Sequence, residues 1–211
     1  GIYTQIFMDG MGGFAIKYFP LFILGAIFGK LMEDSGYAYS IARYIVNKLG
    51  DKHALLAVVL ACAILTYGGV SVFVVTFAVY PIAAELFKQV NIPKRFIPGA
   101  ISIGAFTFTM TALPGSPAIH NAIPMPYFQT DAFAAPILGL IAAVMMLVGG
   151  MWWMQHQLRV AAKNNEGYGT HTLNEKELDI GDKIPNFWLA LFPVVIVVVG
   201  NYLFSKLIIP M

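Results

Sequence analysis

The stretch T-M-T-A-L-P-G-S-P-A-I-H-N, residues Thr109–Asn121, decides how this chain is read. It interrupts a long apolar run with two prolines, a glycine and a cluster of Thr, Ser, His and Asn. Proline lacks an N–H and its ring clashes with the preceding helical turn, so Pro114 and Pro117 around Gly115-Ser116 predict unwound backbone. In hydrocarbon a free N–H or C=O costs several kcal/mol. Irregular backbone therefore persists at membrane depth only where it is buried in protein or lines a hydrated cavity. A second interruption, T-Y-G-G-V-S at Thr66–Ser71, lies about one helical hairpin upstream.

The surrounding composition makes membrane depth the relevant setting. Hydrophobic residues form 58% of the chain and charged ones 11%, with a mean hydropathy of +0.72, whereas soluble domains carry roughly 25% charged residues. The chain reads as an all-α integral membrane protein. A net charge of +2 spread over scattered basic residues excludes a nucleic-acid partner. Cys62 is the one cysteine, set in an apolar run, so it reads as a small buried hydrophobe with no intrachain disulfide to form. The chain opens at Gly1 without Met, and its last apolar run ends at Pro210-Met211. It is expected to be a segment of a longer protein.

Outward from the two breaks, length and charge set the topology. Gly1–Gly13 is polar and glycine-rich and is expected to be a loop or a short interfacial helix, before Phe14–Met32 crosses a ~30 Å core. Lys17 and Lys30 can snorkel from that span, and Gly25 and Gly29 permit close helix packing. In Ala38–Leu49, Ile41, Ala42, Ile45, Val46 and Leu49 share one face, which predicts a helix lying in the membrane surface; an amphipathic linker has the same signature.

Ala54–Phe87 is 34 residues long. As one straight helix it would measure ~51 Å, too long for the core. Divided at Gly68-Gly69, it is either a re-entrant hairpin or one kinked, tilted helix. Returning to its starting side groups Lys88, Lys94 and Arg95 with Lys30, Arg43, Lys48 and Lys52, as the positive-inside rule prefers, so the hairpin is the expected form and that face cytoplasmic. Phe96–Thr130 is then expected as two half-helices joined by an unwound link, and Asp131–Gln155 as a returning helix anchored by Trp152-Trp153. Gln157–Lys183 should be an exposed cytoplasmic connection and Asn186–Ile209 a further crossing helix. The domains follow as 1–53, 54–155, 156–185 and 186–211.

Paired breaks of this kind point to the solute site of a secondary transporter. Unwound carbonyls can face a cation, and free N–H groups at a half-helix N-terminus favour an anion. The candidate binding residues are Thr66, Gly68, Gly69, Ser71, Thr111, Gly115, Ser116 and Asn121, with Thr109 adding a further hydroxyl. No Lys or Arg lies in either break, so a carboxylate would be held by helix ends and hydroxyls. A purely structural kink, with Ser and Thr satisfying freed carbonyls, competes with this reading. His120 is the titratable group in the second break and suits a proton relay, against the alternative of a buried neutral imidazole. Glu85 near Lys88 reads as an exposed or paired carboxylate, and Asp131 as a helix cap. Ser116 and His120 stand four residues apart, but there is no G-x-S-x-G elbow, no nearby acid to orient the histidine and no H-E-x-x-H or cysteine cluster for a metal, so hydrolase chemistry is the weakest reading.

G-K-L-M-E-D-S-G at 29–36, L-T-Y-G-G-V-S-V-F-V-V-T-F-A-V-Y-P-I-A at 65–83 and G-A-F-T-F-T-M-T-A-L-P-G-S-P-A-I-H-N-A-I-P at 104–124 resemble the gluconate:proton symporter family within the ion transporter superfamily, over most of residues 14–155. The resemblance implies one inverted repeat of an elevator-type fold. Phe14–Met32 and Asn186–Ile209 would be scaffold, Ala38–Leu49 the arm, and Ala54–Gln155 half of a transport domain. It also implies proton-coupled uptake of gluconate or a similar small hydroxycarboxylate across a bacterial inner membrane. No cofactor is expected, and a homodimer is the expected assembly. The Gly-Gly-Val-Ser tip departs from the Ser-Asn-Thr type of sodium-coupled members, and His120 lies outside the family pattern. The competing reading is the membrane subunit of a sodium-driven tripartite organic-acid transporter.

Overall fold

The structure, a computed structural model, describes residues 1–170 and 185–207. Every regular element among them is helical: α1 (Ile2–Asp34), α2 (Tyr37–Leu49), α3 (Ala54–Tyr67), α4 (Val72–Gln89), α5 (Ile97–Met110), the single turns α6 (Ile119–Ala122) and α7 (Met125–Phe128), α8 (Pro136–Lys163) and α9 (Phe187–Leu207), with 3-10 turns at Asp51–His53 and Lys94–Phe96. Among the described residues α1, α4 and α8 are long and apolar enough to cross a membrane, and α3 and α9 supply shorter apolar helices.

The run Ala54–Phe87 is divided near Gly68-Gly69 into two helices. Helices α3 and α4 are joined by Gly68–Ser71 and pack against each other. At their far ends Lys52, His53 and Leu55 line the same groove as Val90 and Ile92. The chain therefore leaves this unit beside the point where it entered. Helix α5 runs back along α3, its most extensive partner, and the contact is close because Gly104 has no side chain. A Cβ there would collide with the Val59 carbonyl and lie 2.6 Å from Cys62 Cβ. Without a hydrophobic force between lipid-immersed helices, such approaches gain stability from dispersion, which falls steeply with separation. Helix α8 then returns along α5, with Gly139 beside the Ala112 carbonyl, Gly150 against Ile103 and Met154 over Gly99.

Four expectations change. Gly10, Gly12 and Gly13 do not break the chain: α1 is continuous from Ile2 for 33 residues. Glycine costs only about 1 kcal/mol in a helix relative to alanine, and flanking aliphatic and aromatic residues carry the helix through. The apolar face of α2 is not left to the membrane surface. Ala38, Ile41, Ala42, Ile45 and Val46 are buried where α2 packs on α3, α4 and α9. Past the second break there is no second half-helix, only α6 and α7, because Pro124 and Pro126 interrupt the backbone ladder again. Finally, α8 continues through Gln157 to Lys163, since Leu158, Val160, Ala161 and Ala162 extend its apolar pattern. Of the expected polar connection, residues 171–184 lie outside the described residues, as do Ile208 and Ile209 of the last span.

Beyond α8 the chain folds against the α4–α5 turn. Arg95 Nε and Nη2 donate to Glu166 Oε2 at 3.1 and 2.6 Å, and Asn91 Oδ1 accepts from Tyr168 N at 3.0 Å. The exposed Arg95–Glu166 pair contributes roughly 0–1 kcal/mol, so the core, rather than this ion pair, holds α5 and α8 together.

Substituting Gly104 tests that core. Overpacking costs about 1–3 kcal/mol, so Gly104→Val in the full-length protein is expected to lower the thermal unfolding midpoint in detergent. Gly25→Ala, whose Cβ meets nothing within 4 Å, is expected to unfold like the parent, and equal midpoints for all three would refute the close α3–α5 contact.

Candidate functional site

At the hairpin tip the chain ends α3 and starts α4 in four residues. Gly69 N donates to the Thr66 carbonyl at 3.0 Å and Val70 N to the Leu65 carbonyl at 3.1 Å, the paired bonds of a Schellman motif with Gly69 at the left-handed position, φ 90°. Ser71 precedes α4 in extended geometry and makes no side-chain capping bond. The first N–H groups of α4 have no intrahelical acceptor, and the positive end of its dipole lies there.

The second break repeats the motif with a less suited residue. Ala112 N donates to the Thr109 carbonyl at 3.2 Å and Leu113 N to the Phe108 carbonyl at 3.4 Å, which places Ala112 at φ 48°. An L-residue with a Cβ pays about 1–2 kcal/mol for that conformation. The chain then turns through Gly115 at φ 82°, whose N–H donates to the Ala132 carbonyl at 2.9 Å. Asn121 holds the unwound link together. Its Nδ2 donates to the carbonyls of Leu113 at 3.0 Å and Ala132 at 3.2 Å, with a long contact to Ala112 at 3.5 Å. Asp131 Oδ1 accepts from Phe133 N at 2.9 Å and shapes the turn before α8; it does not cap the helix as expected, since α8 begins at Pro136 without a side-chain cap.

The two breaks meet. Tyr67 Oη donates to the Pro114 carbonyl at 2.9 Å, and Ser116 Oγ donates to the Tyr67 carbonyl at 3.4 Å. A Cβ on Gly69 would lie 2.8 Å from Pro117 Cγ, and one on Gly115 3.4 Å from Tyr67 Oη. Three other helices close around this junction. Gly29 of α1 packs on Ser71 and Val74, Gly139 of α8 lies against the carbonyls of Thr111 and Ala112, and Asn201 Nδ2 of α9 donates to the Gly115 carbonyl at 2.9 Å.

Of the residues expected at a site, Gly68, Gly69, Ser71, Gly115 and Ser116 lie at or beside this junction, while the hydroxyl protons of others are already used. Thr66 Oγ1 donates to the Cys62 carbonyl at 2.7 Å, Thr109 Oγ1 to the Ala105 carbonyl at 2.9 Å and Thr111 Oγ1 to the Thr107 carbonyl at 2.7 Å. Each threonine thus offers a ligand only its remaining lone pairs. Fully buried Ser116 also accepts from Ala118 N at 3.3 Å, and His120 is not its partner. Two polar atoms in the second break, His120 Nδ1 and Asn121 Oδ1, are buried without a hydrogen-bond partner, a state that native interiors rarely leave unexplained. Glu85 is exposed, one of the two forms expected of it, and accepts from Gln89 Nε2 at 3.4 Å.

Sequence reasoning missed Tyr67 and Asn201. Tyr67 stood inside the quoted break and signalled itself only by position. Asn201 is an amide in the otherwise apolar run V-V-I-V-V-V-G-N of α9, and a polar side chain in such a run is itself a signal. Neither of two open grooves on the structure touches the breaks: one of about 560 Å³ is walled by Lys52, Leu56, Leu147 and Leu158, and one of about 270 Å³ by Arg43, Asn47, Glu85 and Gln89.

Residues 3–208 match the model of the GntP family permeases. The chain belongs to this family. It is 56% identical over 167 residues to an uncharacterized transporter, YxjC, of Bacillus subtilis, covering 79% of this chain and 35% of that protein. It is 26% identical over 197 residues to a gluconate permease of Bacillus licheniformis and 28% identical over 194 residues to a high-affinity gluconate transporter of Escherichia coli. Those matches cover 90% and 89% of this chain and 42% of each relative. The chain thus spans well under half the length of the curated relatives it matches. No solved structure matches it. The GntP relatives are permeases and transporters, not enzymes, which sets the Ser116 hydrolase reading aside and agrees with Ser116 being bonded to backbone.

The carbonyl clasp gives this GntP chain a stability test. Asn121→Ala is expected to destabilise the full-length protein by about 1–3 kcal/mol through orphaned buried carbonyls, and Asn121→Asp cannot substitute because a carboxylate only accepts. Ala112→Gly is expected to stabilise by up to about 1.5 kcal/mol, the relieved left-handed cost of ~1–2 kcal/mol less the ~0.5–1 kcal/mol entropy of glycine. Thermal midpoints in lipid nanodiscs decide; a parent-like midpoint for Asn121→Asp would refute the clasp.

Proposed function

We propose that this chain is part of a secondary active transporter of the bacterial inner membrane that takes up gluconate, or a similar small hydroxycarboxylate, together with protons. The observation that carries the reading is the junction itself: two unwound segments, 47 residues apart at Tyr67 and Pro114, bonded to each other where helix ends and glycine backbone converge. The names of relatives supply the substrate class, since they include gluconate permeases and an L-idonate transporter.

In this reading the solute carboxylate sits at the positive end of α4, against the free N–H groups after Ser71 and the Ser71 hydroxyl. The glycine backbone at Gly68 and Gly69 allows it to approach. Its hydroxyl groups meet oxygen lone pairs on Thr66 and Thr111 and the unpartnered Oδ1 of Asn121. Ser116 and Gly115 shape the wall. Holding an anion by dipoles without an ion pair suits a carrier, because the solute must also leave. His120, with a buried and unpartnered Nδ1, takes the coupling proton.

Translocation proceeds by an elevator movement in which α3, α4, α5 and α8 travel as a unit past α1 and α9, with α2 as the connecting arm. The close α3–α5 and α5–α8 contacts support movement of that unit as one body. Two copies form the working assembly.

Proteoliposomes of the full-length protein are expected to accumulate gluconate under an inward proton gradient, with or without sodium. His120→Asn is expected to abolish gradient-driven accumulation while downhill exchange of labelled solute continues. Accumulation that persists in His120→Asn removes the histidine from coupling. Absence of uptake for every short hydroxy acid tested in the parent protein overturns the carrier reading.

A further inference from the structure

Helix α9 touches the junction at three points that follow one helical stripe. Val194 meets Gly68, where an added Cβ would collide with Val194 Cγ1; Val197 Cγ1 lies 3.9 Å from the same position on Gly69. Asn201 then reaches Gly115. Spacings of three and seven residues put all three on one face of a helix. Each opposes a glycine in one of the two breaks, so α9 forms a wall across both.

The two ends of α9 are held differently. At its start, Ser40 Oγ of α2 donates to the Pro185 carbonyl at 2.7 Å and Tyr44 stacks on Phe187 at 3.9 Å between centroids. At the junction the valine contacts are apolar and non-directional. The bond from Asn201 Nδ2 is a directional one, and Tyr202 adds an edge contact to Phe133 at 5.5 Å. The Gly115–Ser116 peptide is held on its N–H side by a 3.3 Å bond from Ser116 N to the Leu113 carbonyl, and the bond from Asn201 holds its carbonyl side.

We infer that Asn201 is a positioning residue for the solute site. Its amide holds the Gly115 carbonyl toward α9, which orients the unwound link from Gly115 to Ala118 against the hairpin tip. This extends the carrier reading and rests on it for its transport consequence, while the positioning itself is independent of what the site binds.

Asn201→Leu separates positioning from packing, because it keeps the side-chain size and suits an apolar helix while removing the donor. In the full-length protein with Cys62→Ala, any cysteine outside these 211 residues likewise replaced, and Ala118→Cys, labelling of the new thiol by a water-soluble maleimide is expected to be about fivefold faster or more in Asn201→Leu than in its parent. Asn201→Gln, which restores an amide, is expected to bring the rate most of the way back. Without the labelling cysteine, Asn201→Leu is expected to raise the KM for gluconate uptake about tenfold, the scale of one lost hydrogen bond, with Vmax within about twofold, and to lower the thermal midpoint by orphaning the Gly115 carbonyl, both effects being largely reversed in Asn201→Gln. Parent-like labelling and KM in Asn201→Leu overturn the inference. So do equal changes in the Leu and Gln variants accompanied by equally lowered midpoints, which would mark a packing role. If the parent takes up no hydroxy acid, the carrier reading fails, and the labelling rates still decide the role of Asn201.

Discussion

Backbone polar groups freed inside an apolar protein must find partners, and the architecture around the two breaks is built from the partners they find. Prolines and glycines open the helical ladder at Gly68–Ser71 and at Thr111–Ala118. The exposed carbonyls of Leu113, Pro114 and Gly115 are taken by Asn121, Tyr67 and Asn201, and the Gly115 N–H by the Ala132 carbonyl. Those donors come from different helices, so satisfying the breaks also ties the hairpin, the second break and α9 into one junction. In a medium where a lone carbonyl costs several kcal/mol, this requirement outweighs the roughly 1–2 kcal/mol of left-handed strain at Ala112.

Glycine serves two different ends. Gly69 and Gly115 are needed for their positive φ, which the turns demand. Gly104 and Gly68 lie in ordinary right-handed backbone and are needed for proximity, since a Cβ would overlap Val59 in one case and Val194 in the other. The first kind creates the breaks, and the second lets rigid helices close over them. Together they give polar backbone enclosed by closely packed helices.

The side-chain chemistry at the junction is less open than its composition suggests. Three threonines donate to their own helices, the usual habit of hydroxyls in helices with few alternative partners. That leaves helix-end N–H groups, Ser71, His120 Nδ1 and Asn121 Oδ1 as the groups with unspent capacity. An anion would therefore be recognised chiefly by main chain and dipole, with side chains setting shape.

By itself the sequence determined the helical class, the membrane setting, the positions of both breaks and the division of Ala54–Phe87 into two arms. These follow from local covalent facts: where Pro and Gly cannot sustain a helix, and how far a given number of residues can reach. It was ambiguous where local cost is small, so the glycines before Phe14 read as a break although α1 runs through them, and the apolar face of α2 was legible while its covering by α3, α4 and α9 was not. Only the tertiary structure decided that Tyr67 bonds Pro114 and that Asn201 bonds Gly115, 86 residues away. A hydrogen bond between distant residues depends on how helices approach, and that approach is set by packing summed over many side chains, which no short stretch of sequence contains.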